Sequence, residues 1–162
     1  MALLKGGKRV KDPWQRVGAE DSLPETGPVL VELERWQRDR EALIARREPI
    51  GVLLKSDEAP EELAPDLDAL ALIALEFPAF KDGRAYSSAR VLRERYAFSG
   101  ELRAVGDVLL EHLLFMHRCG FDAFEMESED PEQDWQTAVA DFDVWYQPTA
   151  DGRPTALQRR NR

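Results

Sequence analysis

Cysteine is almost missing from this sequence: Cys119 is the single one among 162 residues. One cysteine excludes an internal disulfide, a CxxC redox pair and an iron–sulfur cluster ligated by this chain alone. Histidine is nearly as scarce. His112 and His117 stand five apart, off the i, i+4 spacing that would set both on one helix face for a metal ion, so no metal site is read. Long apolar runs are lacking as well. None approaches the ~20 residues of a membrane span, and the opening MALLKGGKRV has no apolar signal-peptide core. The expectation is a cytoplasmic protein with no membrane partner. The sequence also lacks GxGxxG, a P-loop, a GxSxG elbow and CxxCH, so no cofactor motif is visible.

Positive charge is in deficit. Lys plus Arg number 22 against 31 Asp plus Glu, a formal net charge of -9. That balance excludes general binding to nucleic acid, which needs Lys and Arg to neutralise phosphates. What is present is a hydrophobic fraction of 43%, enough for a core. The length suits one domain of ordinary size, ~100–150 residues.

The charge is unevenly spread. Residues 1–16 carry five basic side chains against Asp12 alone, and residues 153–162 carry four arginines and no acid. The body between is strongly acidic, except at 81–118, where seven basic residues face five acids. A local basic excess on an acidic chain marks either a small-anion site or the solvated side of one helix.

Periodicity organises the rest. Residues 1–26, with Gly6, Gly7, Pro13, Gly18 and Pro24, read as an irregular lead-in onto which Trp14 docks. A domain over 27–146 follows. It has strand runs at 29–33, 50–54, 70–77, 102–105 and 123–126, and helical patterns at 34–47, 61–69, 84–98, 108–119 and 131–142. Gly100 suits the position after the third helix, and Asp107 the N-cap of the fourth. A flexible basic tail occupies 147–162. Strands alternating with helices imply an α/β fold: a single domain of about five mostly parallel strands, either an open sheet or a partial barrel. A full eight-fold barrel needs ~250 residues and is excluded.

In parallel sheets ligands bind beyond the carboxyl ends of the strands. This rule selects the loops at Lys55-Ser56-Asp57, Phe77 to Arg84, Gly106-Asp107 and Glu127-Ser128. The second is richest, because it runs into a helix start where free N–H groups favour an anion. Lys81, Asp82, Gly83, Arg84, Tyr86, Ser87 and Arg90 are the candidate anion-binding set. The competing reading makes Asp82-Gly83 an ordinary turn with an exposed Arg84. Glu76, Arg103 and Asp107 are supporting candidates. Glu76 stands alone in an apolar strand, where a carboxylate either serves acid–base chemistry or pairs with an arginine such as Arg103. Cys119 falls on the apolar helix face with Met116, as a packed thiol.

The stretch 77–126, FPAFKDGRAYSSARVLRERYAFSGELRAVGDVLLEHLLFMHRCGFDAFEM, resembles a family of small bacterial proteins defined by a domain of unknown function. The resemblance covers roughly 27–126 and is densest through FPxFxDGRxYSxARxLRERY, GELRAVGDVL and RCGFDAFE. The departures are Ala97, where a glycine is familiar, and Glu111-His112, where an acid–amide pair is familiar. Members of that family are found with the genes for assimilatory sulfite reductase and phosphoadenylyl-sulfate reductase, and carry the label of an oxidoreductase of sulfite reduction. The label rests on genomic company and transfers no catalytic residue. The resemblance implies one of two roles in sulfur assimilation and cysteine biosynthesis. The first is an oxidoreductase or electron-transfer component of sulfate and sulfite reduction. The second is a non-catalytic accessory that binds sulfite reductase, another sulfate-assimilation enzyme or a small sulfur oxyanion. With one cysteine and no cofactor motif, the redox role needs a bound flavin or a cofactor supplied by a partner.

Overall fold

Two strands at opposite edges of one sheet are joined by only four residues, and that short link dictates the shape. In the computed structural model, which describes residues 1–140 and 142–161, β1 (Ala2–Lys5), β2 (Lys8–Val10) and β3 (Gln15–Val17) all lie within the lead-in. They join β4 (Val29–Glu32), β5 (Ile50–Leu54), β6 (Leu72–Phe77), β7 (Glu101–Gly106) and β8 (Ala123–Met126) in an eight-stranded sheet of order β2-β1-β8-β7-β6-β5-β4-β3. Laid flat, the seven strand spacings between β2 and β3 would span ~33 Å. The link Lys11-Asp12-Pro13-Trp14 reaches only ~18 Å from Val10 to Gln15. The sheet is therefore curled into an open half-barrel.

Strands β3 to β8 run parallel in sequential order, and β1 adds antiparallel to both β8 and β2. The partial-barrel form of the α/β expectation holds, with eight strands where about five were expected. The three additional strands come from the segment read as irregular.

Side-chain alternation separates two faces. Val29, Val31, Val52, Leu54, Ile73, Leu75, Phe77, Leu102 and Ala104 point to the main core, onto which α1 to α4 pack. The helices are α1 (Leu33–Ile44), α2 (Arg84–Arg90), α3 (Leu110–Arg118), α4 (Pro131–Ala140) and the short α5 (Ala156–Arg160). Between β5 and β6 a 3₁₀ segment, Pro60–Ala69, replaces a helix, because Pro65 removes an N–H from its middle. Sequential strand order keeps the crossovers on one face, which is the winding of a barrel.

The inner face is lined differently. Leu30, Leu53, Leu72, Ala74 and Val105 form a small apolar layer under Trp14. Beside it lies a chain of ions. Arg103 has no exposed surface and donates to Glu101 (2.8 Å), Asp12 (2.8 Å) and Glu125 (3.1 Å). Lys5 and Arg16 complete the chain, at 2.7 Å from Glu101 and 2.6 Å from Glu125. Three cations thus meet three carboxylates, as buried charges require.

Several boundaries differ from expectation for local reasons. The helix expected over 84–98 is α-helical only to Arg90, continues as a π turn over Val91–Arg95, and closes at Ala97 with φ 53°. Ala97, not Gly100, therefore occupies the left-handed position. Asp107 does not cap α3: its backbone N–H donates to Phe77 O at 2.7 Å, and Leu109 holds the N-cap. Gly106 has φ 91°, and a Cβ there would lie 2.4 Å from Phe77 O. The expected extension of α4 to 142 passes through residue 141, which lies outside the described residues, as does Arg162 of the tail. The start of the tail returns to the body, where Arg118 stacks on Trp145 at 3.9 Å and bonds Gln147 O and Asp151.

Candidate functional site

The C-terminal ends of β4, β5 and β6 meet at one rim of the half-barrel. Each strand places a charged or polar side chain there because its apolar run stops at the edge of the core: Glu32 closes β4, Lys55 and Ser56 follow β5, and Glu76 ends the inner row of β6. Lys55 Nζ lies 2.7 Å from Glu32 Oε2, and that contact raises the lysine pKa. Glu76 is near enough to add to the effect. The Glu58 carboxylate accepts from the Lys55 backbone N–H at 2.7 Å. Lys55 is thus held as an ammonium, unsuited to act as a neutral amine nucleophile.

One residue further, Ser56 connects this pair to the loop singled out by sequence. Arg84 Nη2 donates to Ser56 Oγ at 2.7 Å. The same guanidinium grips Asp82 with two nitrogens, Nε at 3.0 Å and Nη2 at 2.6 Å. The Asp82 carboxyl is held far below the usual carboxylate range by Arg84, and Arg84 is raised in turn. Arg84 spends Nε and Nη2 on these contacts, and Nη1 bonds nothing among the described residues. Lys81, exposed on the same loop, makes no ion pair among the described residues. Asp57 lies near enough to Arg84, and Glu58 and Glu76 near enough to Lys55, to act on their charges, so an anion at the rim competes with carboxylates for these cations.

The candidate set divides. Lys81, Asp82, Gly83 and Arg84 share the loop, with Gly83 at the N-cap of α2. Ser87 is exposed one turn on. Tyr86 turns away, edge-on to Phe77 with ring centroids 5.1 Å apart, and burial pushes its phenol up to about 12. Arg90 lies at the far end of α2, bonded twice to Glu94 at 3.0 Å. Glu76 and Arg103 do not pair. Both face inward, but Glu76 stands opposite Val105 and Arg103 opposite Ala74, and Arg103 is consumed by Asp12, Glu101 and Glu125. Arg103 therefore serves the barrel interior and not the loop, while Asp107 holds the base of the loop through its backbone N–H to Phe77 O. Ser56, Lys55 and Glu32 were not in the set, although the strand-end rule pointed to the Lys55-Ser56-Asp57 loop.

The remaining chemical group is Cys119, half-buried at the end of α3, its thiol pushed up by burial. Arg90 and Arg118 oppose that shift without reversing it. Such a thiol is a poor nucleophile at neutral pH.

The fold and rim define a singly wound α/β half-barrel with a charged rim at the carboxyl ends of its parallel strands. The chain belongs to the bacterial protein family of unknown function DUF934, whose profile matches residues 51–157, from β5 into α5. No curated protein matches the chain. No described helix is long and apolar enough to cross a membrane.

Proposed function

We propose that the protein is a non-catalytic accessory of sulfite reduction that holds a small sulfur oxyanion at the rim formed by Ser56, Lys81 and Arg84. The observation that carries this reading is the tethering of Arg84. Asp82 and Ser56 fix the guanidinium at the carboxyl ends of parallel strands, with Nη1 and the Lys81 ammonium as unspent donors beside it. The choice of a sulfur oxyanion rests on the resemblance of the 77–126 segment to proteins whose genes accompany sulfite reductase. The preference for binding over redox chemistry by the chain's own groups rests on Cys119, a lone thiol with a raised pKa and no second thiol to form a disulfide with.

Calorimetric titration with sulfite, sulfate and phosphate tests the site. Sulfite binds the wild type. Arg84→Ala weakens it by ~1.5–3 kcal/mol, the range for charged hydrogen bonds, and leaves the circular dichroism unchanged. Absence of any anion response overturns the site. Unimpaired growth of a deletion strain on sulfate removes the sulfur assignment. A flavin spectrum in the purified protein selects the electron-transfer role instead.

A further inference from the structure

One flank of the half-barrel leaves large apolar rings in water. Phe115 projects from the outer face of α3, 52% exposed, into an open cleft of about 310 Å³ that it shares with Phe142, Val144 and Tyr146. Phe142 is 53% and Tyr146 90% exposed. One turn towards the rim, His112 stacks on Phe80, ring centroids 4.9 Å apart, and Phe80 is 56% exposed. The rings follow one line along α3, from the rim end to the tail. At ~200 Å² per ring, these four exposures amount to roughly 500 Å². That is at the upper end for a monomer's largest apolar patch, and it is most of the ~800 Å² each partner gives to a standard interface.

The charges flanking the line are polar in the vectorial sense. At its rim end Asp107 and Glu111 outweigh Lys81. At its tail end Arg153, Arg159 and Arg160 outweigh Asp143, while Arg118 and Asp151 are buried against each other. Arg159 and Arg160 are brought there by α5, which Ala156 N–H ties to Trp145 O at 2.6 Å. The dipole of α3 has the opposite sense, positive at the rim end, where Glu111 offsets it in the first turn.

We infer that this flank pairs with the same flank of a second copy of the chain, with the two α3 helices antiparallel about a two-fold axis near Phe115. A two-fold brings the acidic end of each stripe against the basic end of the other and sets the helix dipoles antiparallel. A parallel arrangement would bring like charges together. The contact is self-complementary, as an isologous interface requires. It meets the rim loop at Phe80, next to Lys81, but is built from α3 and the tail, so it does not depend on what Ser56 and Arg84 bind.

Sedimentation equilibrium of the full chain over a range of concentrations tests the pairing. The wild type is expected as a particle of two 18.5 kDa chains. Phe115→Asp and Tyr146→Ser each weaken the association about tenfold or more. Tyr146 is so exposed that its variant keeps the fold, and circular dichroism checks both. Glu111→Arg weakens the dimer, and combining it with Arg153→Glu restores it, an outcome reached only when unlike ends meet. A wild type that stays monomeric at every concentration overturns the inference, including the case where another protein covers the stripe. A dimer indifferent to both ring substitutions overturns it too, since a different face would then be in use.

Discussion

Arg16 on edge strand β3 donates to Glu125 on β8 at 2.6 Å, although the two strands stand five places apart in the sheet. In a flat sheet that separation would be ~24 Å. The contact closes the inside of the half-barrel, and Glu125 passes it on to Arg103 at 3.1 Å. The ion chain is what the inner face has in place of a second layer of helices.

Removal of its centre should be costly. Arg103→Met leaves Asp12, Glu101 and Glu125 facing one another without the buried cation, and should destabilise by ~3–5 kcal/mol. Arg16, whose side chain is half exposed, should cost under ~1 kcal/mol on replacement by alanine. Urea denaturation at neutral pH measures both. Equal losses would show that the chain of ions is not centred on Arg103.

Ala97 is the described non-glycine residue with positive φ, at 53°, and it closes the π turn after α2. Ala97→Gly should relieve the left-handed strain and stabilise by ~1 kcal/mol. Gly106→Ala should act in the opposite direction, by several kcal/mol, because its Cβ would press on Phe77 O where β6 and β7 are in register. Thermal melts of the two variants should move to opposite sides of the wild type.

Tyr86 gives a pH signature. Its phenol is pushed up to about 12 by burial against the core, while a free tyrosine ionises near ~10. The folded state thus keeps a proton that the unfolded chain has lost. The stability it contributes is complete below ~10 and declines as pH rises towards 12. Alkaline unfolding monitored at the tyrosinate band should show this decline, and Tyr86→Phe should flatten it.

Cys119 should react slowly with a disulfide reagent at neutral pH, since burial raises its thiol. Addition of denaturant should accelerate the reaction. Rapid modification of the native protein would contradict the half-buried, protonated thiol and would reopen a redox role for it.

The five central strands and their helices were legible because each is a run of β-branched or alternating apolar residues long enough to show a period. The three strands of the lead-in were not. Lys8-Arg9-Val10 and Gln15-Arg16-Val17 are three residues each, mostly polar, and are strands only because β1 and β4 offer them backbone partners. The loop from Lys81 to Arg84 was visible in its composition. Its coupling to Ser56 was not, because 28 residues separate Arg84 from Ser56. The same distance in sequence hid the partners of Arg103, two of which lie 91 and 22 residues away.

By itself, the amino-acid order determined the α/β class, the parallel direction of the central strands, the single inert thiol and the loop where charge gathers. These follow from local periodicity and residue chemistry, which act over a few residues. Tertiary structure alone decided that the sheet curls, that Arg103 serves the barrel interior and not Glu76, and that Phe80, Phe115 and Tyr146 form one exposed line. Those outcomes depend on which distant segments share a face, and short connections and burial of charge settle that only when the whole chain is folded.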